Sequence, residues 1–194
     1  MDQHLRETLV DGETVYDGKF LKVRCDTVAL PDGKHAKREY FRHPGAVVIL
    51  PVLDDGRIVL ERQFRYPNDQ VFIELPAGKL EIDEDPLLCA QRELREETGY
   101  AAERWQFLCT IHNAIAYSDE HLDIFLAEGL AEGERALDDG EFLDIFSATL
   151  EELLEWIRQG RVTDVKTIIG ALWLDKIRRG EWVPPAGTAC ENPS

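Results

Sequence analysis

Apolar and polar positions alternate along much of this chain, and the alternation gives way to helical spacing at three places. From Thr14 to about Asp26 the residues VYDGKFLKVRCD change character at nearly every step, which predicts a strand; VAL follows and PDG at 31–33 closes it with a turn. KREYFRH predicts a second short strand. GAVVILPVL (45–53) is almost continuously apolar, DDG (54–56) is a tight turn signal and RIVLERQFR (57–65) returns, so the pattern predicts a hairpin with one buried strand. VFIELPAG (71–78) reads as a strand ending in a glycine loop.

At Asp85 the period changes. An N-cap aspartate, a proline at the first helical position, the run LLCAQRELREET and a stop at Gly99 predict a helix. FLCTIH and LDIFLAEGL predict two strands around the loop NAIAYSDE, and AEGERALDDGE is polar and loop-like. FLDIFSA reads as a strand, LEELLEWIRQG and VKTIIGALWLDKIRRG as amphipathic helices with Trp156 and Trp173 on their core sides, and 181–194 as a disordered tail. No internal repeat is present.

Composition narrows the setting. A chain of 194 residues with 44% hydrophobic content is enough for one domain with a full core. The 22 basic against 38 acidic residues give a net charge of -16, which argues against nucleic acid or an anionic membrane as partner. A small phosphate substrate stays compatible with that charge if divalent cations and a few arginines reverse the local field. The four cysteines, Cys25, Cys89, Cys109 and Cys190, are far apart without a CxxC pair, and no apolar run has signal-peptide or membrane-spanning character, so a reducing cytoplasm is expected. His43, His112 and His121 have no zinc spacing and read as structural.

The candidate chemistry lies on the first helix. Glu93, Glu96 and Glu97 fall at i, i+3 and i+4, so their carboxylates share a face while Leu87, Ala90 and Leu94 face the core. Like charges at this spacing repel, and clustered carboxylates suit the oxygen-rich shell of Mg²⁺ or Mn²⁺. Arg92 is placed to pair with Glu96 one turn on. Counting from Gly78, the segment GKLEIDEDPLLCAQRELREETGY fits G-x5-E-x7-R-E-U-x-E-E-x-G-U, with U apolar, at Gly78, Glu84, Arg92, Glu93, Leu94, Glu96, Glu97, Gly99 and, loosely, Tyr100.

On this motif the chain resembles the Nudix hydrolases. The resemblance implies Mg²⁺- or Mn²⁺-dependent hydrolysis of a nucleoside diphosphate linked to another moiety. It implies a mixed α/β fold, an α/β/α sandwich, here with an additional N-terminal antiparallel β-sheet. By motif position it makes Glu93 and Glu97 the principal metal ligands, lets Glu96 share a further ion and the Ala77 carbonyl complete the shell, and makes Glu84 and Arg92 a structural pair.

Likeness outside the motif, in YDGKFLKV, LPDG, REYFRHPGAVVILPVLDDGRIVLERQFRYP, ELPAGKLE, YSDE and KTIIGALWL, is to the ADP-ribose pyrophosphatase branch. It implies a homodimer whose N-terminal sheet, 1–44, is exchanged or packed across the dimer, followed by a Nudix domain over 45–180. Arg65 then matches the arginine that approaches the phosphates, Arg38 and Glu39 are candidates for substrate contact, and Glu120 matches a polar residue near the substrate. Glu141 stands where the branch carries its catalytic base, with the helix glutamates, Glu97 among them, as the alternative. Ala114, Ile115 and Ala116 replace the serine, proline and glycine of members specific for ADP-ribose. GDP-mannose, ADP-glucose, NADH, FAD and dinucleoside polyphosphates therefore remain open as substrates. A non-catalytic nucleotide sensor is the remaining alternative, against which the complete motif stands.

Overall fold

Two runs of chain build separate units in the computed structural model, which describes residues 2–137, 140–185 and 189–191. One unit is Met1–Gly45 with His112–His121, the other Ala46–Ile111 with Leu122–Ser194.

The N-terminal unit holds an antiparallel sheet of β1 (Thr8–Asp17), β2 (Lys22–Ala29) and β3 (His35–Arg42), in that order. The single strand expected over 14–26 is instead a hairpin, and β1 begins earlier, at Thr8. Alternation continues on both sides of the bend, so period alone hides it; Asp17-Gly18 is the turn signal, and the Gly18 N–H donates to the Leu21 carbonyl at 2.9 Å. Asp26 is buried and accepts hydrogen bonds from Arg24 and the Tyr40 hydroxyl, each at 2.8 Å at its shortest. The loop 112–121 is tied to β3: Phe41 N–H donates to the Tyr117 carbonyl at 2.9 Å, and His43 N–H to Asp119 Oδ1 at 2.8 Å.

In the second unit the run AVVILP forms β4 (Ala46–Pro51), buried at every position. Being apolar on both faces, it must be covered on both. Val48 and Leu50 enter a core with Leu60, Leu75, Leu108 and Ile124, closed by α2 (Leu150–Arg158) and α3 (Val165–Arg178), where Trp156 and Trp173 pack. Val47 and Ile49 point the other way, into a core with Cys89, Ala90 and Leu94 at and just beyond α1 (Pro86–Glu93), and with Trp105. Burying these large apolar side chains is worth roughly 1.5–3 kcal/mol each before entropy is counted. The result is the mixed sheet between helices that the motif implied.

The expected hairpin at 45–65 is corrected. Its turn is present, with Gly56 at φ 86° and the Leu53 N–H bonded to the Arg57 carbonyl at 2.8 Å, but β4 and β5 (Ile58–Arg65) meet in one bridge, Val52 with Ile58, and then part. Strand β4 joins the sheet β11-β8-β9-β4-β7, parallel to β9 (Leu122–Glu132) and antiparallel to β7 (Ala77–Lys79), with β8 (Tyr100–Ile111) next to β9. Strand β5 lies between β6 (Gln70–Glu74) and β10 (Leu143–Ala148). The stretch VFIELPAG likewise splits at Leu75-Pro76, which carries the chain from one sheet to the other. Within 181–194, read from sequence as a disordered tail, Ala189–Glu191 form β11 along Gln106–Arg104, whose edge backbone groups offer pairing; residues 186–188 and 192–194 lie outside the described residues. Among the described residues no helix is long and apolar enough to cross a membrane.

Candidate active site

The site begins with how α1 starts and ends. Asp85 accepts from the N–H groups of Leu87 and Leu88 at 2.9 and 3.2 Å, with Pro86 in the first turn. After Glu93 the helix widens into a π-helical turn, Leu94–Thr98, and Gly99 ends it in the left-handed region at φ 79°. The regular spacing read from sequence did not reveal this widening. The turn is pinned from outside by Ala136, whose N–H donates to the Glu96 carbonyl at 3.2 Å.

Arg92 organises the glutamates around it. It grips Glu84 through Nε and Nη2, both at 3.0 Å, and its Nη1 donates to Glu93 at 2.7 Å and to Glu96 at 3.0 Å. This includes both pairs expected from sequence, with Glu84 and with Glu96. The Arg92 bonds hold the Glu84 carboxyl down to about 2. Burial pushes the neighbouring Cys89 thiol up to about 12, which makes it an unreactive core group.

Glu97 is the inner carboxylate, 4% exposed, and its Oε2 accepts the Ala77 N–H at 3.1 Å. Burial and the negative charges of Glu61 and Glu93 push it well above the ordinary carboxylate range. Burial pushes Glu93 up as well; Arg92 pulls it back, and the charges of Glu96 and Glu141 leave it raised. Gly78 makes room for Glu93, because a β-carbon on Gly78 would overlap that carboxyl group. Carboxylates raised by burial and by neighbouring negative charge are a donor set short of positive charge, and hard oxygen donors of this kind fit a divalent cation. Among the described residues, no three acidic, histidine or cysteine side chains already converge as ligands, since Arg92 and Ala77 hold the glutamates.

Behind these glutamates lies a charged layer of which sequence reading had named Arg65 but not Glu61, Glu74 or Lys166. Arg65 meets Glu74 with two bonds of 2.8 Å, and the buried Lys166 also bonds Glu74. Lys166 reaches Asp164 at 3.0 Å, and Asp164 caps α3 through the Thr167 N–H at 3.0 Å. The Thr167 hydroxyl accepts the Leu75 N–H at 2.8 Å, tying the β6–β7 junction to that helix. Burial pushes Glu74 up, but Arg65 and Lys166 overcome it and leave it below the ordinary range. Glu61 lies opposite Glu74 in the sheet register, wholly buried. The available signal was a charge inside each apolar run, in IVLE and VFIE.

The remaining sequence candidates fall in two groups. Glu141 follows Gly140 and lines a cleft of about 600 Å³ with Arg62, Phe64, Val71 and Phe142; the helix glutamates are not in that lining, yet the Glu141 charge acts on Glu61, Glu93 and Glu97. Arg65 also lies in the field of Glu61 and Glu97. Thus Ala77, Glu93, Glu96, Glu97, Arg65 and Glu141 belong to the second unit, and Arg38, Glu39 and Glu120 to the first. Arg38 is bonded to Glu7, Glu39 is exposed on β3, and Glu120 accepts from Asn113 at 3.4 Å and lies 3.7 Å from His43 Nε2.

A helix carrying this glutamate array, behind a glycine strand in a mixed sheet between helices, is the core of the Nudix fold. The NUDIX domain pattern matches residues 42–167, and that of a nucleoside diphosphate sugar hydrolase N-terminal domain matches 7–41. The chain belongs to the Nudix hydrolase family and is a pyrophosphohydrolase of that family. It is 40% identical over 172 residues to an ADP-ribose pyrophosphatase of Bacillus subtilis (strain 168), covering 88% of this chain and 93% of that one. It is 39% identical over 176 residues to a methanol dehydrogenase activator of Bacillus methanolicus, covering 90% and 95%. The crystal structure of an ADP compounds hydrolase superposes with a TM-score of 0.82 at 21% identity over 91% of this chain and 96% of that one, a likeness of fold.

Proposed function

We propose that this enzyme hydrolyses the diphosphate linkage of ADP-ribose or a related nucleoside diphosphate sugar, giving a nucleoside monophosphate and a sugar phosphate. The observation that carries the reading is the glutamate set at the end of α1: Arg92 holds Glu93 at 2.7 Å and Glu96 at 3.0 Å, and the buried Glu97 accepts the Ala77 N–H at 3.1 Å, a cluster of oxygen donors that suits divalent cations. A diphosphate needs the same cations. The names of the relatives supply the substrate class, and Ala114-Ile115-Ala116 leaves the sugar open, GDP-mannose and ADP-glucose included.

Glu93, Glu96 and Glu97 with the Ala77 carbonyl would hold Mg²⁺, or Mn²⁺. A bound divalent cation supplies Lewis-acid polarisation of the diphosphate and of the attacking water. Arg92 keeps Glu93 and Glu96 oriented, Gly78 keeps their space open, and Glu141 takes the proton from the water. Arg65 is assigned to the phosphates, its guanidinium held in one orientation by Glu74, and Arg38, Glu39 and Glu120 to the rest of the substrate. The enzyme acts as a homodimer in the cytoplasm. Strand β1, exposed along all ten residues including Leu9, Val10, Val15 and Tyr16, supports a second copy as its cover, and the free thiols Cys25, Cys89 and Cys109 suit a reducing compartment.

The deciding experiment offers ADP-ribose, ADP-glucose, GDP-mannose, NADH, FAD and diadenosine polyphosphates, each with Mg²⁺ and with Mn²⁺, and identifies products by mass. Turnover of a nucleoside diphosphate sugar to two monophosphates is expected. Failure to hydrolyse any of them would sink the reading. Light scattering tests the dimer.

A further inference from the structure

Strand β5 opens with four buried residues, Ile58, Val59, Leu60 and Glu61. A glutamate at the end of such a run is unusual, because an ionised carboxylate taken from water without a partner costs several kcal/mol. Glu61 is 0% exposed, and neither Oε1 nor Oε2 has a hydrogen-bond partner among the described residues. Its cross-strand neighbour is Glu74, a second carboxylate, and like charges directly opposite on a sheet destabilise it. Glu74 takes the bonds of Arg65 and Lys166, and these cations ease Glu61 only through space.

We propose that Glu61 is a further carboxylate ligand for a divalent cation, binding it together with Glu97. The proposal rests on the metal-dependent reading above and adds a donor from β5 to those of the helix. Three features of the site support it. Glu61 lies opposite Glu74 in the register, and Glu97 accepts the N–H of Ala77 just beyond Glu74 on the same run of chain, which places both carboxylates beside the β6–β7 junction. Near them, the carboxylates of Glu61, Glu74, Glu97 and Glu141 face Arg65 and Lys166, so the layer lacks positive charge. Protonation does not resolve this, since a neutral carboxyl at Glu61 would still bury a hydroxyl donor and a carbonyl acceptor with nothing to bond. A small, hard dication satisfies both oxygens and the charge together.

The test is Mn²⁺ binding to the full chain without substrate, followed by equilibrium dialysis and electron paramagnetic resonance, with thermal unfolding in parallel. In Glu61→Gln the Mn²⁺ affinity should fall at least ~10-fold, the size known for residues that merely support a ligand, or one ion should be lost. The metal-free variant should melt at or above the wild-type temperature, because an unpaired buried charge is gone, and Mn²⁺ should raise its melting temperature less than it raises that of wild type. Wild-type Mn²⁺ stoichiometry and affinity in Glu61→Gln overturn the proposal. If that variant does not fold, Glu61→Asp, which withdraws the carboxylate by one methylene, must show the affinity loss, and unchanged affinity there overturns it equally. Glu93→Gln separates the failures. Binding weakened by Glu93→Gln and untouched by Glu61→Gln removes Glu61 alone, whereas binding untouched by both removes the helix site as well.

Discussion

Gly78 on β7 and Glu93 on α1 share a space that admits one side chain: a β-carbon at Gly78 would sit inside the Glu93 carboxyl group. The backbone of Gly78 lies outside the left-handed region, so alanine is acceptable to the main chain there. What must yield is the flexible end of Glu93, the carboxylate assigned to metal. Gly78→Ala should therefore fold with a melting temperature within a few degrees of wild type and lose roughly 10²-fold in kcat/KM, as for a misplacement of about 1 Å in a positioned group. Wild-type turnover in this variant would mean that Glu93 moves without consequence.

The bidentate pair of Glu84 and Arg92 makes a pH prediction. Glu84 has an ordinary value of 4.5 and is held at about 2 in the folded protein, so the folded state stays ionised where the unfolded chain takes up a proton. The pair's stabilisation is thus present above pH 4.5 and lost as pH falls toward 2. Unfolding free energies from urea titrations of wild type and Glu84→Gln should differ by about 1.5–3 kcal/mol at pH 6 to 7, the usual worth of hydrogen bonds to charged groups, and converge on acidification. A gap that stays constant down to pH 3 would mean that Glu84 contributes through packing instead.

How far these features were legible in advance depends on whether local chemistry or tertiary placement fixes them. Glu93, Glu96, Glu97 and Arg92 were readable because cation binding and pairing demand particular residue types at particular spacings on one helix. The helix boundaries were readable because Asp85, Pro86 and Gly99 are local signals. The parting of β4 from β5 was not, since an apolar run, a tight turn and a returning run look the same whether the strands pair or enter different sheets. Nor was Glu61, because a charge in a strand gives no sign of which neighbours the fold will bring to it. Lys166 stands 92 residues from its partner Glu74, a separation that pattern reading along one helix does not bridge.

Glu141 carries the prediction that divides the mechanism. It lies on the segment after Gly140, partly exposed at the cleft, while its charge reaches Glu93 and Glu97. Glu141→Gln keeps size and hydrogen bonding and removes the basic oxygen, so turnover should fall by ~10²-fold or more with KM little changed and Mn²⁺ still bound. Near-normal turnover would return the role of base to Glu93, Glu96 or Glu97.

Lys166 provides the stability test of the charged layer. It is 7% exposed and bonds both Glu74 and Asp164, so Lys166→Met removes a positive charge from a place already rich in carboxylates and takes a partner from the residue that caps α3. Breaking a buried pair from one side costs about 3–5 kcal/mol, which for a chain of this size lowers the melting temperature by roughly 6–20 °C. If the cost arises from unbalanced negative charge, taking away a neighbouring carboxylate must return part of it. The double variant Lys166→Met with Glu61→Gln should then melt several degrees above Lys166→Met alone in metal-free buffer, a coupling between residues that share no hydrogen bond. Strictly additive melting temperatures would instead assign the Lys166 contribution to its bonds with Glu74 and Asp164 and leave the charge of Glu61 out of the balance.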